Sequence, residues 1–146
     1  MGDDDLLAAA RAAAADAYAP YSGFAVGAAV RTRSGRIHPG ANMENASYGL
    51  SLCAEAAALA RAVAENDFQV VEIAVVGGKR GEGGTLVPGD PVTPCGRCRQ
   101  LLKEAADVAG ADIRVISANA DLSKVLETTV SELLPHAFGP DHLTDG

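Results

Sequence analysis

Gln69-Val70-Val71-Glu72-Ile73-Ala74-Val75-Val76 is a β-branched run of strand length, and Thr93-Pro94-Cys95-Gly96-Arg97-Cys98-Arg99 downstream opens a helix. Between them Gly77 to Val92 is rich in glycine and ends with two prolines, which predicts a long loop. Thr93 is placed to cap the helix with Pro94 at its first position, and Arg99 to Val108 continue it. Asp112 to Ser117 then returns as a strand. Strand, helix and strand in succession place the chain in the α/β class.

Outward from this unit the pattern is consistent. Asp3 to Ala17 is an Ala- and Leu-rich helix with acids at its positive end, stopped by Ala19-Pro20-Tyr21-Ser22-Gly23. Phe24 to Arg33 puts Phe24, Val26, Ala28 and Val30 on one side, and Ser34-Gly35 turns the chain into Arg36 to Asn42, a hairpin. Leu52 to Glu65 reads as a helix ending at Asn66-Asp67. Val125 to Val130 is a last strand, followed by a helical turn over Ser131 to Leu134 that Pro135 closes. The order α, β, β, α, β, α, β, β contains no repeat and no dividing linker. It predicts a single domain over residues 1–146, a three-layer α/β/α fold with a mixed five-stranded sheet covered on both faces.

Composition narrows the function. With 146 residues, 48% apolar and 21% charged, the chain is sized to bury roughly 70% of its unfolded surface in one core. Nineteen acids against twelve bases leave a charge of -7, which repels phosphate backbones and anionic lipid. No apolar run approaches the roughly 20 residues of a membrane span. The acidic start at Met1 to Asp5 is unlike a secretory signal, and Leu6 stands where a myristoylation signal needs Ser or Thr. The expected address is the cytoplasm. Three cysteines cannot all pair, and in a reducing compartment such a set points to metal binding or catalysis.

All three thiols fall at two expected helix starts, in Cys53-Ala54-Glu55 and Pro94-Cys95-Gly96-Arg97-Cys98. A helix N-terminus favours thiolate, the form that binds metal, and two intervening residues let Cys95 and Cys98 face one ion. Three protein ligands leave a tetrahedral position for water, whose pKa zinc lowers toward neutrality. Glu55, in the first helical turn beside a ligand, can approach that water as a proton shuttle. Inert buried cysteines, a redox pair and a structural zinc remain as other readings. The third thiol and Glu55 weigh against the redox pair, and a structural zinc lacks a fourth ligand, because His38, His136 and His142 have no spacing that argues for the site. Gly77 to Gly84 lacks the spacing of a phosphate loop.

These motifs resemble the small cytidine deaminases of nucleoside salvage. The match also includes Phe24-Ala25-Val26-Gly27-Ala28, Asn42-Met43-Glu44-Asn45-Ala46-Ser47-Tyr48-Gly49 and Glu132-Leu133-Leu134-Pro135-His136-Ala137-Phe138-Gly139, in family order from about residue 20 to 140. The resemblance implies one zinc ion per chain on Cys53, Cys95 and Cys98, attack by metal-activated water on C4 of the pyrimidine, and Glu55 moving protons to N3 and to departing ammonia. It implies a small-molecule nucleoside substrate, cytidine or deoxycytidine, whose sugar hydroxyls meet Asn42 and Glu44. The Ala54 backbone N–H meets the base carbonyl, Phe24 stacks near the base, and Tyr48 joins the substrate-binding set. It further implies a homotetramer in which Phe138 reaches a neighbour's site. On their own, Phe24 could be strand core, Asn42 and Glu44 turn residues, and Phe138 a pin for the C-terminus.

The related blasticidin S deaminase shares the Cys-Ala-Glu and Pro-Cys-Gly-Arg-Cys core but lacks the Asn-x-Glu-Asn segment. A nucleic-acid-editing enzyme would need a basic groove and stacking platforms, and this chain is acidic with six aromatics and no Trp. One departure stands out: many relatives carry Arg directly after the catalytic Glu, where Ala56 stands here. Arg97, between two ligands, is expected to donate to a ligand sulfur in its place, the other reading being a solvent-exposed Arg in the helix's first turn.

Overall fold

The computed structural model describes residues 3–144. Helix α1 (Asp3–Ala15) carries Asp3, Asp4 and Asp5 in its first turn and buries Leu6, Leu7, Ala10 and Ala14 along one stripe. It ends two residues before the expected Ala17, with Asp16 and Ala17 N–H groups reaching back to Ala13 and Ala14 carbonyls in tightened turns. Strand β1 (Phe24–Thr32) and β2 (Ile37–Ala41) form the expected hairpin, with Val30 opposite His38 and Gly35 at φ 90° in the turn.

Strand β3 (Val70–Arg80) pairs antiparallel with β1 and parallel with β5 (Arg114–Asn119), and β6 (Val125–Thr129) closes the far edge antiparallel to β5. The order β2-β1-β3-β5-β6 is the mixed five-strand path expected, but a sixth strand, β4 (Leu86–Val87), pairs with the end of β3. That end, Gly77 to Arg80, is strand and not loop. Its glycines mark close backbone approach: a Cβ on Gly77 would lie 2.8 Å from the Ala25 carbonyl oxygen, and one on Gly78 2.7 Å from that of Val87. Strand β5 starts later than expected because the Asp112 carboxylate accepts the Ile113 and Ser131 N–H groups. That ties Asp112 to α4 (Val130–Leu133), whose N-cap Thr129 accepts the Glu132 N–H.

Alternation along the strands divides the core into two layers. On one face α1 sets Leu6, Leu7 and Ala10 against Ala29, Ala74, Val76, Ile116 and Ala118. On the other, α2 (Ala54–Ala64) and α3 (Gly96–Ala109) set Ala58, Leu59, Ala62 and Leu102 against Ala28, Val30, Ile73, Val75 and Val115. This is the three-layer arrangement. Helix α3 begins two residues later than the sequence suggests: Cys95, not Thr93, is the N-cap, in extended conformation, and its carbonyl accepts the Arg99 N–H. Cys53 is likewise the N-cap of α2. No helix among the described residues is long and apolar enough to cross a membrane.

Candidate active site

The two N-caps bring the thiols together. The sulfurs of Cys53, Cys95 and Cys98 all lie within 4.8 Å of one another, and the Cys53 to Cys95 separation is 3.6 Å. A tetrahedral zinc with bonds of about 2.3 Å sets its sulfurs about 3.8 Å apart, so the cluster fits the ion. Among the described residues it is the single group of three or more potential ligands so close together. His38 is buried against Asp67 and His142 is engaged by Gly139, so neither supplies a fourth ligand.

Burial raises the Cys53 thiol, and burial followed by the nearby Glu55 charge raises Cys98. At Cys95 burial also pushes upward, but hydrogen bonds from the Cys98 backbone and from the Cys53 and Cys98 side chains prevail and lower it. The lowering expected at both helix starts is therefore found only at Cys95. Crowded, partly buried thiols are costly to ionise without a cation, and a divalent ion that takes thiolate removes that cost.

Glu55 sits in the first turn of α2 at 4% exposure, the one buried carboxylate among the described residues. Burial raises its carboxyl pKa against the opposing effect of hydrogen bonds from its own N–H and from Cys98. A cleft of about 560 Å³, within the usual range for small ligands, opens in front of it. Phe24, Asn42, Glu44, Tyr48, Ala54 and Glu55 line it together with Cys53 and Cys95, while Cys98 is buried behind.

The two polar residues opposite the thiols are firmly held. Asn42 Oδ1 accepts the Val26 N–H at 2.9 Å and its Nδ2 donates to the Phe24 carbonyl at 3.0 Å, fastening β1 to the end of β2. Glu44 Oε1 accepts the Tyr21 and Ser22 N–H groups at 2.9 and 3.1 Å, and Oε2 accepts the Ser22 hydroxyl. The Ser22 hydroxyl, the Ser22 backbone and other donors hold the Glu44 carboxyl below its ordinary range. Tyr21, Ser22, Ser51, Val92 and Thr93 also line the cleft and were not anticipated. Tyr21 and Ser22 lie in the segment Ala19 to Gly23 that reads as a helix stop, and their only sequence signal is proximity to Phe24.

One expectation, a donor for a ligand sulfur, is placed elsewhere. Arg97 Nη1 donates to the Ser51 carbonyl at 3.4 Å, bracing the segment before Cys53, so its hydrogen bond goes to backbone and not to a ligand sulfur. Phe138 lies outside its own chain's cleft, stacked on His142 with ring centroids 5.1 Å apart. Arg99 is spent on the Pro94 and Leu133 carbonyls at 2.8 and 3.0 Å.

Residues 1–110 match the family described as the cytidine and deoxycytidylate deaminase zinc-binding region. The chain belongs to this deaminase family. A cytidine deaminase of Halalkalibacterium halodurans is 45% identical over 129 residues, 88% of each chain. One of Mycobacterium tuberculosis is 40% identical over 131 residues, covering 90% of this chain and 85% of the relative. The crystal structure of cytidine deaminase from Burkholderia pseudomallei superposes with a TM-score of 0.81 at 41% identity, covering 94% of this chain and all of that one.

Membership in a zinc-binding deaminase family and the three-thiol cluster together give one zinc ion per chain. Elemental analysis of protein purified without chelator is expected to find one equivalent. Cys53→Ala removes one of the three clustered thiols, so zinc retention against a chelator is expected to weaken by more than the roughly 10- to 100-fold typical of outer-shell changes. Full retention in that variant would exclude Cys53 as a ligand.

Proposed function

We infer that the protein hydrolyses cytidine and deoxycytidine to the corresponding uridines and ammonia, in pyrimidine salvage. The reading rests on one observation: a buried carboxylate, Glu55, stands two residues from a thiol ligand inside the cleft that also holds Asn42 and Glu44. The chemistry that zinc supplies on three thiolates is Lewis acidity, which makes water a nucleophile near neutral pH. Glu55 moves protons: it accepts one from the attacking water and places it on N3 of the pyrimidine, then takes the second from the hydroxyl added at C4 and delivers it to the amino group, which leaves as ammonia while the C4 carbonyl forms. Its burial suits that role by weakening the carboxylate's preference for the charged form.

Ala54 is the first residue of α2, where a helix N–H has no partner within the helix, and that N–H is assigned to the base carbonyl. The Phe24 ring packs against the base, and Tyr48 borders the cleft. Of about four acceptor positions on a carboxylate, Glu44 has three filled by Tyr21 and Ser22, leaving one on Oε2. Asn42 has one N–H left on Nδ2. One acceptor and one donor suit a single sugar hydroxyl that gives a hydrogen bond to Glu44 and takes one from Asn42.

Free cytidine is expected to react well, and free cytosine and single-stranded DNA poorly, in an absorbance assay over such a panel. Glu44→Ala is expected to lower kcat/KM for cytidine roughly 10- to 150-fold, equivalent to the roughly 1.5 to 3 kcal/mol of a hydrogen bond to a charged group. Equal efficiency on cytosine would remove the sugar-binding assignment.

We further place the chain, as a single domain in the cytoplasm, in a homotetramer in which Phe138 enters a neighbour's site. Phe138 is 55% exposed, and Tyr18, Met43, Tyr48 and Leu50 form further exposed apolar surface near the cleft. A monomer mass at assay concentration, with activity kept in Phe138→Ala, would refute the shared site.

A further inference from the structure

Ser22 makes more of the site's contacts than its size suggests. Its hydroxyl donates to Glu44 Oε2 at 2.5 Å and accepts the Phe24 N–H at 2.9 Å. The direction is unambiguous, because a backbone N–H can only donate, which leaves the hydroxyl proton for the carboxylate. The Ser22 carbonyl accepts Lys79 Nζ from the end of β3, and Gly23 at φ 69° turns the chain so that Phe24 can face back to the hydroxyl. Arg80 holds the same loop, donating its N–H to the Gly23 carbonyl at 2.7 Å and Nη2 to the Ala17 carbonyl at 2.6 Å.

We propose that Ser22 is a positioning residue of this site: one hydroxyl joins the carboxylate that reads the sugar to the backbone of the residue that stacks on the base. The inference rests on Glu44 as the sugar ligand. Without the hydroxyl, Glu44 keeps two backbone donors on Oε1 but nothing orients Oε2, the oxygen with the acceptor position left for substrate. Zinc and Glu55 stand on other elements, so the change falls on substrate binding more than on turnover.

The experiment is steady-state kinetics on cytidine for wild type, Ser22→Ala, Ser22→Thr, Glu44→Ala and the Ser22→Ala/Glu44→Ala double variant, at matched zinc content and with melting curves to certify folding. Ser22→Ala is expected to raise KM roughly 10-fold with kcat changed less than about 3-fold. Ser22→Thr, which keeps a hydroxyl, is expected to recover most of the loss. The double variant should be no more than about 2-fold worse than Glu44→Ala, because Ser22 acts through Glu44. An unchanged KM in Ser22→Ala, no rescue by Thr, or effects that multiply in the double variant would overturn the proposal while an impaired Glu44→Ala leaves the sugar assignment standing. Normal kinetics in Glu44→Ala itself would overturn both.

Discussion

Glu55→Gln is expected to keep its zinc and to lose at least ~100-fold in turnover, the scale of general acid and base catalysis by one positioned group. The substitution preserves side-chain shape beside Cys98 while removing the capacity to exchange a proton and the negative charge that acts on the thiols, a loss that does not weaken thiolate binding to a cation. Because the three sulfurs come from the N-cap of α2 and the start of α3, neither framework nor ligand set changes. Zinc content and turnover measured on one preparation separate chemistry from metal loss. Near-normal turnover with zinc in place would mean that another group moves the proton.

Gly40→Ala is expected to damage stability and the metal site together. Gly40 on β2 lies against α2 so tightly that a Cβ would stand 2.4 Å from the Ala58 nitrogen and 2.8 Å from the Ala54 carbonyl oxygen. Both neighbours are helix backbone, so no rotamer change relieves the contact. Either β2 or α2 has to move, at a cost of roughly 3 kcal/mol or more, the upper part of the overpacking range. For a chain of this size that lowers Tm by roughly 6 to 12 °C. Since α2 carries Cys53, Ala54 and Glu55 at its start, its displacement also loosens zinc. Gly27→Ala supplies the contrast: its Cβ would meet the Ala10 carbonyl oxygen at 2.0 Å and the Ala14 nitrogen at 2.3 Å, both in α1, which carries no site residue. It is expected to lower Tm at least as much while the folded protein retains zinc normally. Equal zinc loss in both variants at a temperature where both are folded would contradict a specific link through α2.

The local halves of the site were readable in residue identity: Cys53 with Glu55, and Cys95 with Cys98, each lie within a few residues of one another at a helix start. Packing of α2 beside α3 is what brings Cys53 within 3.6 Å of Cys95, 42 residues away in sequence. The hairpin, the helices and the mixed sheet were likewise legible from alternation and helix propensity, since each buries one stripe or one face. Other features depended on neighbours distant in sequence. Gly77 and Gly78 read as loop residues, yet they are strand because they pair with Val26 and Ala25 of β1, and they are glycine because the Ala25 and Val87 carbonyls leave no room for a Cβ. The expected partnership of Arg97 with a sulfur gave way to the Ser51 carbonyl, which lies 46 residues away in sequence.

The same division holds for electrostatics. Helix N-termini by themselves favour thiolate, whereas burial pushes the Cys53 and Cys98 thiols upward, and the amount of burial is a property of packed layers. Asn42 and Glu44 show both contributions in one place: their types and spacing supply an amide and a carboxylate, and the fold consumes most of their hydrogen-bonding capacity on β1 and on the Tyr21-Ser22 turn. By itself the sequence determined which reactive groups the protein has and where along each helix they start, because covalent spacing and local propensity act over a few residues. Only the tertiary structure decided how far each group is desolvated and which of its donors and acceptors are already spent, because both depend on what long-range packing brings beside them.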